Sequence, residues 1–257
     1  LSMVIVACGC SREMVSGSGL EVRLSAEEQV TKTVTDFGTG ITRFSEGDAV
    51  SVWSEGLAPD MSGVLFTVGA DGALVQDSKD KTKYRYCGDE GGSFLACSPA
   101  SVENNGTAVV FRVPSDQSSA SKFVAADFLT GKASVEAAQS APVAIKFAHR
   151  AALVNVTTAK LPGEYGSAAE TITISGVLTY LEWDRASDKV CTITDAETGS
   201  VTMWKASDGL FAAVVPAQEI AAGKIFLTIS TDDGRTFTYK PAAPIALKAG
   251  DVFKLEF

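Results

Sequence analysis

The sequence predicts an all-β chain of two antiparallel β-sandwich domains in tandem. Three observations carry this. Short runs in which apolar and polar residues alternate recur almost throughout the 257 residues, and a period of two marks a strand with one buried face. Clusters of Gly, Asp, Ser and Asn separate the runs, where turns between antiparallel strands belong. The spacing is regular and short, which favours sandwiches over strands alternating with helices. The length suits two such domains of roughly 115 residues each. The predicted divisions are 1–19, a signal remnant and polar tether, then a first domain over 20–140 and a second over 141–257.

Taken in order, "LEVRLSA" from Leu20 sets Leu20, Val22 and Leu24 against Glu21, Arg23 and Ser25 and reads as the first strand. "DAVSVWS" and "GVLFTV" follow, with an Asp71-Gly72 turn after them. "FLACS", "TAVVFRV" and "KFVAADFL" follow; residues 118–138 have room for some helix, but "VAADFLTG" holds too little helical period to assign one. "AAQSAP" around Gln139 to Pro142 reads as the loop between domains. "VAIKFAHRAALVNVTT" then puts Val143, Ile145, Phe147 and His149 on one face and changes phase after Arg150, as one long strand, or two with a bulge, would. "ETITISGVL", "KVCTIT", "SVTMWKA" and "GLFAAVVP" are further short strands. "KIFLTISTDDGRTFTYK" is a hairpin, with Ile225, Leu227 and Ile229 facing one way, a turn at Asp233-Gly234, and Phe237 and Tyr239 returning. In the last strand Phe253, Leu255 and Phe257 alternate with Lys254 and Glu256.

Composition narrows the function. Hydrophobic residues make up 46% and charged residues 21% of the chain, an ordinary globular mixture with material for one or two cores. The formal net charge is −9. Nucleic acids and anionic membrane surfaces demand clustered Lys and Arg, so neither is an expected partner. Past its first residues the chain has no apolar run long enough to span a bilayer as a helix.

The five cysteines are Cys8, Cys10, Cys87, Cys97 and Cys191. Cys8 and Cys10 are one residue apart and His149 is the sole histidine, a poor set for zinc and the wrong spacing for a redox pair. Leu1–Cys10 reads instead as the end of a signal-peptide apolar region, with an apolar–small–Cys–polar transition into Ser11-Arg12-Glu13. It resembles a bacterial lipoprotein signal, which implies acylation at Cys10, with Cys8 as the alternative. A diacyl or triacyl group supplies the multiple chains that stable anchoring needs. Cys87 and Cys97 in "CGDEGGSFLAC" fit either a disulfide in an exported protein or two small buried strand residues.

No catalytic constellation is evident. His149 falls in the apolar phase of a strand, where a packed, hydrogen-bonded ring is expected. No nucleophile elbow, phosphate loop or dinucleotide fingerprint occurs. "DAETGS" and "STDDGRT" lack calcium-loop spacing and read as turns. The sequence thus predicts no enzyme, no cofactor and no metal. Trp53, Trp183 and Trp204 are scattered, and serve either core packing or a carbohydrate platform.

Several segments, in order, resemble the Bacteroidales fimbrillin-like (type V pilus subunit) family. They are "RFSEGDAVSVWS", "FLACSPA", "VAIKFAHRAALVNV", and "FAAVVPAQEIAAGKIFLTISTDDGRTFTYK" followed by "IALKAGDVFKLEF". The resemblance covers most of Leu20 to Phe257. It implies two transthyretin-like sandwiches, export as an outer-membrane lipoprotein, and assembly with other subunits into adhesive surface fimbriae. It implies as well that a trypsin-like protease removes the first strand, and that a neighbouring subunit's strand fills the opened groove. Leu20, Val22 and Leu24 would fill it before cleavage. Where the family commonly has T-R-A, this chain has Thr31-Lys32-Thr33. Arg43 is therefore the expected processing site and Lys32 the alternative. An uncleaved, lipidated member would suit the base of a fimbria, and a host or bacterial surface molecule would be the adhesion ligand. The competing expectation is a monomeric surface lipoprotein that binds glycans through exposed aromatics.

Overall fold

A computed structural model describes residues 19–27, 44–100, 102–158, 169–195 and 198–257. These form twenty-three strands and one helix. The first stretch supplies β1 (Leu24–Glu27), β2 (Ala49–Glu55), β3 (Leu57–Ala58), β4 (Val64–Val68), β5 (Ala73–Gln76), β6 (Arg85–Tyr86) and β7 (Glu90–Ser98). Next come β8 (Glu103–Asn105), β9 (Ala108–Arg112), α1 (Ala120–Ala126), β10 (Leu129–Ala137) and β11 (Val143–His149). The remainder is β12 (Ala151–Thr157), β13 (Ala169–Leu178), β14 (Tyr180–Asp184), β15 (Lys189–Thr192), β16 (Thr198–Thr202), β17 (Trp204–Ser207), β18 (Leu210–Pro216), β19 (Gln218–Ile220), β20 (Leu227–Thr231), β21 (Thr236–Tyr239), β22 (Ile245–Leu247) and β23 (Val252–Glu256). The all-β expectation holds.

The amino-terminal sheet closes on itself in the order β1-β11-β10-β7-β2-β4-β5. Its interior holds the alternate residues that the pattern picked out, among them Val50, Val52, Phe94, Ala96, Val143, Ile145 and Phe147. The hairpin from β4 to β5 turns at Asp71-Gly72, where Gly72 takes a φ of 79° that glycine adopts without steric cost. Gly131 faces inward on β10. A Cβ there would lie 2.7 Å from a methyl of Ile145, so only glycine fits this part of the barrel.

The carboxy-terminal half is a sandwich of two four-stranded sheets, β17-β18-β12-β23 and β16-β13-β20-β21. Val154, Val156, Ile172, Ile174, Phe211, Leu227 and Ile229 fill the space between them. Phe237, Tyr239, Phe253, Leu255 and Phe257 pack half-buried against this core. A third core joins the two halves. Trp53 and Cys97 project from the outside of the barrel, and Ala151, Ala212 and Val214 from the outside of the sandwich. The sheet β15-β14-β9-β8 and the helix cover them with Phe111, Leu181, Trp183 and Phe123. Strands of β2, β12 and β18 that carry apolar side chains on both faces are thus buried on both faces.

The structure decides two open readings and corrects two others. "KFVAADFL" is mostly α1, not a strand: Ser119 caps it by accepting a hydrogen bond from the Lys122 N–H, and Phe123 and Ala126, three apart, share its buried face. The boundary expected at 140/141 falls inside the β10–β11 hairpin. β11 pairs with β1 and β10, so the chain leaves the barrel at Arg150 and enters the sandwich with β12. "VAIKFAHRAALVNVTT" is therefore two strands in two different sheets. Finally, Ile225 is 44% exposed, and Phe226, fully buried, takes the core place before Leu227.

Candidate functional site

The feature that singles itself out is β1. It is four residues long, yet it closes the barrel, because it pairs on both edges. On one side it runs parallel to β11, with Leu24 opposite Val143 and Ala26 opposite Ile145. On the other it runs antiparallel to β5, with Leu24 opposite Leu74. The Ala26 N–H donates to the Gly72 carbonyl at 2.9 Å and the Val143 N–H to the Arg23 carbonyl at 2.8 Å. The preceding residues continue the attachment: Val22 N–H donates to Tyr84 O at 2.9 Å, and Tyr86 N–H to Leu20 O at 3.1 Å. Gly19 lies so close to this segment that a Cβ would stand 2.1 Å from the Tyr86 carbonyl oxygen.

The side chains of this segment divide unequally. Leu24 is 3% exposed and belongs to the barrel core; Val22 and Ala26 are half-buried against it. Leu20, expected on the same buried face, is 47% exposed. The ladder at Leu20 runs to Tyr86 and leaves its side chain beyond the barrel mouth, so Leu24 and Val22 alone of the three expected residues enter the core. Glu27 meets Lys146 at 3.6 Å across exposed surface. Cys8, Cys10, Lys32 and Arg43 lie outside the described residues. Beyond the 28–43 stretch that contains both processing candidates, Phe44 packs edge-on against Phe147 at 4.9 Å, so both flanks of that stretch are held on the barrel.

The single histidine is half-buried at the crossing from β11 to β12. Its Nδ1–H donates to the Asp127 carboxylate at 2.9 Å, and its Nε2 has no partner. The small cavity beside it is lined by Phe123, Ala151, Leu153, Val214 and the Gly250–Val252 turn, and holds no Ser, Thr or Cys to serve as a nucleophile. The pair joins the end of α1 to the strand junction. Trp53 and Trp183 are buried and lie edge to face at 6.0 Å, while Trp204 is half-buried against Phe123. They build the third core rather than an exposed aromatic platform. Cys87 and Cys97 are not disulfide-bonded, and Cys97 packs in that same core. Among the described residues no helix is long and apolar enough to cross a membrane, and no three His, Cys, Asp or Glu side chains gather to hold a metal ion.

A profile of fimbrillin-like proteins matches residues 31–257. The chain belongs to the fimbrillin-like family. Solved structures share the fold. One is a candidate cell adhesion protein of Bacteroides uniformis, 18% identical, with a TM-score of 0.67 over 92% of each chain. Another, from Bacteroides ovatus, is 12% identical with a TM-score of 0.69 over 94% of this chain and 93% of its own. A fimbrial protein of Bacteroides ovatus aligns with 93% of this chain but 48% of its own, at 11% identity and a TM-score of 0.51. No curated protein matches the sequence. Membership of this family supports the role of a fimbrial subunit at the cell surface, structural rather than enzymatic.

Proposed function

We propose that this fimbrillin-like protein is built into surface fimbriae by β-strand exchange, after proteolysis releases the segment that carries β1. The observation that carries this reading is the double pairing of β1. Loss of so short a strand leaves the facing edges of β5 and β11 unpaired and uncovers the apolar site of Leu24. A strand from another subunit restores both at once, by β-augmentation. The cut falls after Arg43, or alternatively after Lys32, between β1 and the strands that remain. A lipid on Cys10, or alternatively Cys8, carries the protein to the outer membrane before processing. The sandwich core and the third core contain no residue of β1 and remain when it leaves.

Intact-mass and N-terminal analysis of the protein recovered from cells tests lipidation and processing together. The expected result is an acylated Cys10 in the precursor and a mature chain that begins at Phe44 or Thr33. A mature chain that retains β1 and still polymerises would contradict the strand-exchange reading.

A further inference from the structure

An open cleft of about 820 Å3 lies on the outside of the barrel, where the turn between β14 and β15 overhangs the sheet. Its size is that of a ligand site, roughly 300–1,000 Å3. The floor is the outer face of β2, β7, β10 and β11, kept shallow by the small side chain of Ala148. Ser62, Ser93, Ser134 and Thr107 stand exposed around it.

Charge sets this cleft apart. Lys132, Lys146, Arg150 and Arg185 line it, against Glu55 and Asp188, in a chain whose net charge is −9. Asp188 is shared: Lys132 Nζ lies 2.8 Å from one carboxylate oxygen, while Arg150 Nη2 at 3.5 Å and the Trp183 indole N–H at 3.2 Å approach the other. One carboxylate therefore serves two cations. Arg185 stacks on the Trp53 ring at 4.6 Å and donates from Nη2 to the Gly106 carbonyl. Its Nε finds no acceptor, while the neighbouring Asp184 carboxylate attracts it through space. A half-buried guanidinium N–H without an acceptor is costly, and an anion is a strong acceptor for it.

We propose that this cleft binds an acidic oligosaccharide, a uronate-type chain whose carboxylates meet Lys132, Lys146, Arg150 and Arg185 while its hydroxyls bond the serine and threonine rim. A peptide fits less well. Peptides bind sheets by adding a strand to an open edge, and every strand in this floor is already paired on both sides. Few large apolar side chains are present to anchor a peptide's own, whereas hydroxyls, cations and a flat floor answer the groups that a uronate presents. The strands of the floor remain when β1 leaves, and Lys146 then loses its Glu27 partner and is free for the ligand.

Isothermal titration of the full chain with a short oligogalacturonate tests this, beside the methyl ester of the same saccharide, which keeps the hydroxyls and loses the charges. Saturable binding of the acid is expected, at least tenfold weaker for the ester. Lys132→Ser/Lys146→Ser should weaken it tenfold or more at unchanged melting temperature, since both side chains are well exposed, at 69% and 61%. If the double variant melts lower, the two single variants carry the comparison. The proposal is overturned if no binding is seen at millimolar saccharide, if the ester binds as well as the acid, if the lysine variants bind like the wild type, or if a poly-glutamate peptide binds equally well.

Discussion

Replacing Leu24 by alanine probes the seam at its most buried point. Leu24 is 3% exposed and faces Val143 and Leu74 across the two ladders of β1. Large-to-small changes at such positions cost about 2–5 kcal/mol, the transfer of the lost methyl groups plus the cavity left behind. Because β1 is short and terminal to the barrel, this loss acts first on local opening of the seam rather than on global unfolding. Hydrogen exchange reads it directly, at the Ala26 amide bonded to Gly72 and the Val143 amide bonded to Arg23. With a factor of ten for each 1.4 kcal/mol, both amides should exchange roughly 30- to 4,000-fold faster in Leu24→Ala. Leu20→Ala is the internal control. Its side chain is 47% exposed, and its effect should stay within about twofold, as for a surface substitution of under ~0.5 kcal/mol. Unchanged protection in Leu24→Ala, or equal effects of the two variants, would refute the assignment of Leu24 as the plug of the barrel.

Two further perturbations test the surrounding packing and charge. Gly91→Ala would place a Cβ 1.8 Å from the Val135 carbonyl oxygen, forcing β7 and β10 apart; a loss of about 1–3 kcal/mol or more is expected in urea unfolding, and an unchanged midpoint would contradict the ladder geometry. The Asp116 carboxyl sits well below its ordinary value of 3.8, held there by hydrogen bonds from Lys122 first and Ser118 second. A depressed carboxylate stabilises the fold above the unfolded value and ceases to do so as pH falls toward the folded one. Lys122→Ala should therefore move the Asp116 titration, followed by NMR, upward toward 3.8, and an unmoved midpoint would remove Lys122 as the cause.

Local alternation made much of the fold legible, because a strand with one buried face repeats every two residues. Val50 and Val52, Val143, Ile145 and Phe147, and Leu227 and Ile229 are all buried as their spacing requires. The turns at Asp71-Gly72 and Asp233-Gly234 are where the glycines place them. Alternation does not say where a ladder stops, and so Leu20 and Ile225 continue the pattern past the point at which burial ends. Nor does it name a strand's partner. The parallel pairing of β1 with β11 joins residues far apart in sequence, and it turned an apparent linker around Gln139 into a hairpin inside the barrel. The helix α1 is short and apolar on one side, which a strand-like reading imitates. Trp53 and Cys97 are buried on the outside of a barrel strand by a third layer that no single strand's pattern encodes. The cationic cleft was illegible for the same reason: Lys132, Lys146, Arg150 and Arg185 come together only through the sheet and the overhanging turn.

The central claim is that the body of the subunit needs a strand in the place of β1. The direct measurement deletes residues 11–43 and compares size and melting temperature with and without a peptide of sequence LEVRLSAE. The truncated protein should oligomerise or melt lower than the full chain, and the added peptide should raise its melting temperature and return it to a monomer. A truncated protein that stays monomeric, melts like the full chain and ignores the peptide would contradict strand exchange.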